Sequence, residues 1–466
     1  MKISHLKFEY KPSQKPQGKL AYKEPEDIFR PSEDRKYDDP VSNIKKLRQM
    51  SNSKKRETVK SINMDGYMIP ANKGKITHLC LTYGISGYGP VKENYQKVFK
   101  TFLQNMPDAR FTVLTSDDKN RKELQSIVDE LASSGIKNNP ERIKIVNTGQ
   151  EVSIWAQDST LVIGNKVIVP EREYIPDEGD KAVARKITRL NPSLKFENIE
   201  GLFIDGGNQL ATEDKIFLGS DTVNFMMKDM KKYPSKYDRI TGELNIKEAE
   251  KLSQEELCKL MLTRTFPHQK LVFIGDIGEG EKQPEAHIDL FMTPLGKVDP
   301  ETGKEVITVG DPFLACKILD KLKENDPEKY AKYEEMIKNK IPNCHERHPL
   351  NTITNFIFEE IFLMGYKVNF DKAAKKLEEE GYKVERIPYL THSSLNNLPN
   401  ITYNNGLIDG DNFFMPAFNI PELDEIASEV YRKYGYNVIP VEMTSISSQR
   451  GALNCITKVL EREYES

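Results

Sequence analysis

Cys455, in the segment RGALNCITKVL, follows a glycine-containing turn, with Asn454 before it and Thr457 after it. A cysteine attacks carbon as its thiolate, so it needs an approachable position and a proton carrier nearby. Cys80, Cys258 and Cys316 read instead as small apolar core side chains. His287, one of seven histidines, lies in PEAHIDLFM with Asp289 two residues on. The apolar run predicts a strand, in which residues two apart share a face. Imidazole and carboxylate must then be paired, solvated or lining a pocket. Taken alone, a structural pair at a sheet edge is the simpler account. Trp155, the single tryptophan, stands three residues before Asp158 in EVSIWAQDSTLVIG. A carboxylate beside an aromatic wall grips a flat cation such as a guanidinium, although a loop aspartate capping a turn has the same sequence. Asp205-Gly206-Gly207-Asn208 falls between apolar runs, where paired glycines imply a tight turn or close backbone approach.

Other sites are weaker. Neither DGGN nor GISGYGP (84–90) is a phosphate loop, since no helix opening with Lys-Ser/Thr follows. Cys344, His345 and His348 in CHERH have zinc-ligand types but lack a second ligand group at suitable spacing, and read as a polar helix end. No calcium loop of alternating aspartates is present. No metal and no cofactor are expected.

Side chains this far apart in sequence must be gathered by a large fold. The chain has 466 residues, with 68 basic and 71 acidic side chains and a net charge of −3, which argues against a nucleic-acid surface as its main business. No apolar run reaches the roughly 18 residues of a membrane helix. The start, MKISHLKFEY, lacks the apolar stretch of a secretory signal, and five scattered cysteines exclude a disulfide scaffold. The expectation is a protein of the cytoplasm that meets neither membrane nor nucleic acid, its oligomeric state left open. Export by a route without a cleaved signal stays compatible.

Residues 1–70 carry 16 Lys/Arg against 10 Asp/Glu and few apolar clusters, and read as a polar N-terminal arm. From residue 76 short apolar runs alternate with amphipathic stretches, predicting an α/β fold. Strands are expected at 76–83, 110–115, 142–148, 161–169, 215–219, 270–276, 287–295, 306–311 and 436–441, with a hairpin over 401–416. Helices are expected at 91–106, 120–135, 179–190, 247–262, 312–338, 351–364, 370–381 and 421–435. The Lys-, Met- and Glu-rich stretch 225–262 reads as a possible surface insertion.

In order along the chain, these segments resemble the guanidino-group-modifying superfamily, the penteins, which includes agmatine, arginine and peptidylarginine deiminases. Trp155-Ala-Gln-Asp158 is similar to the family's W-x-R/Q-D, and Asp205-Gly-Gly-Asn208 to its E/D-G-G-N/D. His287-Ile-Asp289 matches H-x-D/E, and Gly451-Ala-Leu-Asn-Cys455-Ile-Thr457 resembles G-x-x-H-C-x-T. Asn400-Ile-Thr-Tyr-Asn-Asn405-Gly406 is similar to an N-x-x-x-x-N-G stretch. The resemblance spans about Ile76 to Lys458. It implies a propeller of five ββαβ units with pseudo-fivefold symmetry over residues 71–466.

It also implies roles. Cys455 becomes the nucleophile, His287 the proton donor and then the activator of water, and Asp158 and Asp289 the guanidinium ligands. Trp155, Gln157, Asp205, Gly206, Asn208 and Asn400 would line or order the substrate pocket. The implied reaction is hydrolysis of an arginine-type guanidinium to a ureido group and ammonia through a covalent thiouronium. Gln157 resembles the peptidylarginine branch, which leans the expected partner toward an arginine-containing peptide or protein. Agmatine, free arginine or transfer to an amine are the alternatives, and a non-catalytic binding module is the remaining one. Asn454 departs from the family's histidine, and Asp205 from the glutamate of agmatine deiminases.

Overall fold

The computed structural model describes residues 66–84, 89–134, 140–171, 178–244, 246–278, 283–364, 366–391 and 396–464. The expected N-terminal arm therefore lies outside the described residues up to residue 65, as does 85–88 of GISGYGP.

The apolar runs become short strands. They are β1 (Lys75–Tyr83), β2 (Arg110–Thr115), β3 (Ile143–Asn147), β4 (Leu161–Ile163), β5 (Lys166–Glu171) and β6 (Lys195–Phe203). Then come β7 (Gln209–Ala211), β8 (Lys215–Gly219), β9 (Lys270–Ile274), β10 (Met292–Val298), β11 (Glu305–Asp311) and β12 (Lys383–Leu390). The last are β13 (Ile401–Thr402), β14 (Leu407–Asp409), β15 (Asn412–Ala417), β16 (Asn437–Glu442) and β17 (Thr457–Glu463).

Among the described residues these strands form five small sheets, ordered β17-β1-β2-β3, β4-β5-β6, β7-β8-β9, β10-β11-β12-β13 and β14-β15-β16. Each contains an antiparallel pair whose second strand also takes a parallel neighbour. A parallel neighbour requires a crossover, and a helix supplies it every time. Gly89–Asn105 joins β1 to β2, Glu178–Leu190 joins β5 to β6, and Pro421–Lys433 joins β15 to β16. The first of these buries Val91, Tyr95, Val98, Phe99 and Phe102, the one-sided stripe that holds a helix on a sheet.

One pairing matters most for the site. β17, at the C-terminal end, runs antiparallel to β1 with Thr457 opposite Leu81. That ladder anchors the turn carrying Cys455, two residues before β17, beside the earliest strand of the described chain. Arg462 locks the same ladder from inside, donating to the carbonyls of Ala71, Lys73, Gly74 and Ile408.

Four expectations are corrected here. The helix expected over 247–262 starts only at Gln254, capped by Ser253, and runs to Thr265. The hairpin expected over 401–416 is confined to β14 and β15, because β13 pairs with β12. The helix expected over 312–338 is two helices, Pro312–Asn325 and Pro327–Lys340. Asp326 ends the first through its N–H on Leu322 O and caps the second by accepting from Lys329 N, with Pro327 in the first turn. The strand expected over 287–295 begins only at Met292, and Ile288–Leu290 is a 3₁₀ turn. His287 and Asp289 therefore do not share a strand face. About three residues per turn sends side chains two apart in different directions. The stretch 225–262 lies in the crossover from β8 to β9, where Met226, Tyr237, Cys258 and Leu262 are buried in one cluster with Ile216 and Leu218. Among the described residues, no helix is long and apolar enough to cross a membrane.

Candidate active site

Four turns meet around Cys455. Its own turn, before β17, buries the thiol to 3% exposure. Asn405, in the turn before β14, donates from Nδ2 to Cys455 Sγ at 3.2 Å and accepts the Cys455 N–H on Oδ1 at 3.2 Å. Asp289 reaches the same sulfur, with Oδ2 3.7 Å from Sγ, and Asn454 Nδ2 donates to that oxygen at 2.8 Å. Asp289 is almost wholly buried, and its Oδ1 has no hydrogen-bond partner.

The Trp155–Asp158 turn is tied to the nucleophile turn through its backbone, with Gln157 N donating to Cys455 O at 3.0 Å. Gly451 leaves room for the indole, because a Cβ there would stand 2.5 Å from the Trp155 ring. Asp158 Oδ1 accepts the Gly207 N–H at 3.1 Å. Gly206 packs so closely that a Cβ would fall 1.8 Å from Gln157 O. The double glycine thus lets two turns touch backbone to backbone.

His287 lies between two carboxylates. Its Nδ1 is 3.6 Å from Asp158 Oδ1 and its Nε2 is 3.5 Å from Asp205 Oδ2. Burial alone would lower its pKa, but Asp158 and then Asp205 outweigh burial and raise it to about 9. Burial pushes Asp289 up to about 6 against the pull of His287 and Asn454. Burial, followed by the charges of Asp289 and Asp158, holds the Cys455 thiol well above its ordinary value. At neutral pH the free site therefore holds an imidazolium and a neutral thiol.

The expected residues are brought together unequally. Cys455, His287, Asp158, Asp289 and Asp205 converge directly, with Gly206 at the contact of two turns. Gln157 is a wall residue whose Nε2 donates to Gly206 O at 3.1 Å. Asn208 accepts from Gln283 Nε2 at 2.8 Å and braces the turn. Asn400 donates its backbone N–H to Ser447 O and makes no hydrogen bond to the thiol. Asn405, five residues on, has that position. In CHERH, His348 Nδ1 pairs with Glu334 at 3.0 Å at the start of helix Pro349–Met364. Among the described residues, no cluster of three or more His, Cys, Asp or Glu is arranged to hold a metal ion.

No family model and no curated protein matches the sequence. Solved structures do match the fold. A protein provisionally assigned as an agmatine deiminase is 14% identical, covering 89% of this chain and 100% of its own, with a TM-score of 0.54. A cysteine-to-serine variant of C. jejuni agmatine deiminase with substrate bound is 13% identical over 86% of this chain and 96% of its own, with a TM-score of 0.50. A third structure, provisionally assigned as a peptidyl-arginine deiminase, is 13% identical over 86% of this chain and 99% of its own, also at 0.50. The chain shares the fold of these structures.

Three residues of this site were not singled out by sequence. Asn405 was visible only as the last asparagine of the N-x-x-x-x-N-G stretch. Asn454 was visible only as a departure from the family pattern. Lys458 is fully buried, with Nζ 3.4 Å from Gln157 O, and gave no signal because a lysine in an alternating segment ordinarily faces water.

Proposed function

We propose that this chain is a cysteine-dependent deiminase that hydrolyses an arginine-type guanidinium to a ureido group and ammonia. The observation that carries this is the placement of Cys455 Sγ beside Asp289 while Asp158 holds the adjoining His287. A nucleophile and a carboxylate, and an acid and a carboxylate, are thereby held in two adjoining contacts. We further propose that the five sheets are the blades of a pseudo-fivefold propeller over residues 71–466; the arm expected over 1–70 is shorter than that, since Met68 is buried in the core and bridges Ile163, and Tyr67 O accepts the Gly164 N–H.

A guanidinium is a poor electrophile, so orientation has to do much of the work. Asp158 and Asp289 hold its nitrogens by charge-assisted hydrogen bonds and turn the central carbon toward sulfur. The incoming cation also offsets the carboxylate charge that keeps the thiol protonated, so binding favours the thiolate. Sulfur bonds to the carbon, and the C–N bond to the leaving nitrogen breaks as His287 gives its proton to departing ammonia. Neutral His287 then takes a proton from water, hydroxide adds to the thiouronium carbon, the C–S bond breaks to restore the thiolate, and the O-protonated ureido group gives up its hydroxyl proton through water to the released ammonia. Guanidinium and water become urea-type product and ammonium, with charge balanced.

For the tail of the substrate, the W-x-Q-D resemblance favours peptide-bound arginine. A specific observation supports agmatine as the second reading: Gln157 donates into the wall at Gly206 rather than marking a peptide-binding rim. Agmatine, free arginine and a peptide with an internal arginine, offered side by side, separate these by ammonia release and product mass. Deimination adds about one mass unit to the substrate it accepts. Silence on all three removes the hydrolase reading.

A further inference from the structure

Lys458 has no place in the chemistry above, yet its side chain lies under the site. It projects from β17 with 4% exposure, and Nζ reaches the carbonyl of Gln157 next to Asp158. Lys458 and Asp289 also line one cavity of about 60 Å³, together with Gln209, Asn404 and Arg462. Asp289 has a buried, unpartnered Oδ1, and Gln209 Oε1 and Asn404 Nδ2 in the same lining are likewise unpartnered. Such a polar space suits a few bridging waters. A buried ammonium is costly unless something needs its charge. Here three carboxylates, Asp158, Asp205 and Asp289, are gathered around one histidine.

On the deiminase reading, we infer that Lys458 is a positioning residue: from beneath, it holds the turn that carries Asp158 and keeps Asp289 ionised and ready to receive a guanidinium cation. The groups facing it are Asp158 from its turn, Asp289 from the 3₁₀ turn, Cys80 from β1, and Arg462 farther along β17 at the cavity wall. Burial lowers the Lys458 pKa to about 8, and the two aspartates oppose that fall, so it is charged at the acid side of neutrality where Asp289 needs support.

This role has a signature that simple damage lacks. Without the ammonium, Asp289 takes up a proton at higher pH, so guanidinium binding and turnover fail earlier as pH falls. Above that point Asp289 is ionised anyway, and at pH 9 Lys458 has itself largely lost its proton. Lys458→Met, an apolar replacement of similar length, should lose about tenfold in kcat/KM at pH 6 and keep its activity at pH 9, where the lysine is largely neutral in the parent. Its acid limb should move up by about one pH unit, and Lys458→Arg should move it back. Calorimetric binding of the substrate to Cys455→Ser with and without Lys458→Met should show the same pH dependence. A uniform loss at every pH, or an unmoved limb in folded Lys458→Met, would overturn the inference. A parent protein that neither binds nor turns over any guanidine would overturn the deiminase reading itself.

Discussion

Asn405 holds Cys455 at two points, donating to Sγ and accepting from the backbone N–H of the same residue, each at 3.2 Å. One side chain therefore fixes the nucleophile's position and gives a thiolate its donor. Asn405→Ala removes both contacts and should lower kcat by about 10- to 100-fold, in the range of one or two hydrogen bonds to a charged group. Iodoacetamide labelling of Cys455 should slow in parallel, because less of the thiol ionises at a given pH. Unchanged kcat and labelling would show that the contact has no part in activation.

Gly207 offers a test of position. A Cβ at this residue would stand 2.6 Å from His287 Nδ1 and 3.1 Å from Asp158 Oδ1. Gly207→Ala must displace the imidazole, and an error of about 1 Å at a reacting group costs on the order of 100-fold. The loss should fall on kcat in a protein with a normal melting temperature. Full activity would mean that His287 is not held where the proton transfer occurs.

The pH profile follows from the two raised groups. His287, at about 9, stays protonated through neutrality, whereas Cys455 stays a thiol. The reactive form, thiolate with imidazolium, is a minor one that grows about tenfold per pH unit until His287 begins to lose its proton. kcat/KM should therefore rise with unit slope from about pH 7 and flatten near pH 9. Below about pH 6 the slope should steepen as Asp289 protonates. In the substrate complex the bound cation favours the thiolate, so the kcat limb should lie at lower pH than that of kcat/KM. A profile flat from pH 7 to 9 would contradict the assigned protonation states.

Asp158 serves both partners, since it holds His287 and accepts the Gly207 N–H. Asp158→Asn keeps the shape and can still accept from Gly207, but it lacks the charge that attracts the guanidinium and raises the His287 pKa. KM should rise and kcat should fall, with a joint loss of at least about 10³-fold. The flattening of kcat/KM near pH 9 should also move toward neutrality. A change in KM alone would remove Asp158 from the proton-transfer half of the mechanism.

Much of the site was legible because its chemistry occupies short segments in a fixed order. Cys455, His287, Asp158 and Asp289 could be named together from that order, and strands such as β1 and β2 from continuous apolar runs. Legibility failed where tertiary contacts override local pattern. PEAHIDLFM has strand composition, yet Ile288–Leu290 at its centre fold as a 3₁₀ turn, with His287 extended just before it; His287 faces Asp158 and Asp289, inside the turn, faces Cys455. β12 and β17 were missed because charged residues interrupt them. Glu385 in β12 pairs with Lys433, whereas Lys458 and Arg462 in β17 are buried on carbonyl groups. Asn400 and Asn405 fit one motif equally, and only the turn before β14 decides which of them meets the thiol.

The central claim is that Cys455 bonds to the guanidinium carbon. The most direct measurement is acid quenching during steady turnover of the best of the three substrates, followed by intact-protein and peptide mass spectrometry. The expected result is a mass gain equal to the substrate less ammonia, confined to the peptide containing Cys455, with no adduct and no turnover in Cys455→Ala. Near-normal ammonia release by Cys455→Ala would contradict the mechanism at its first step.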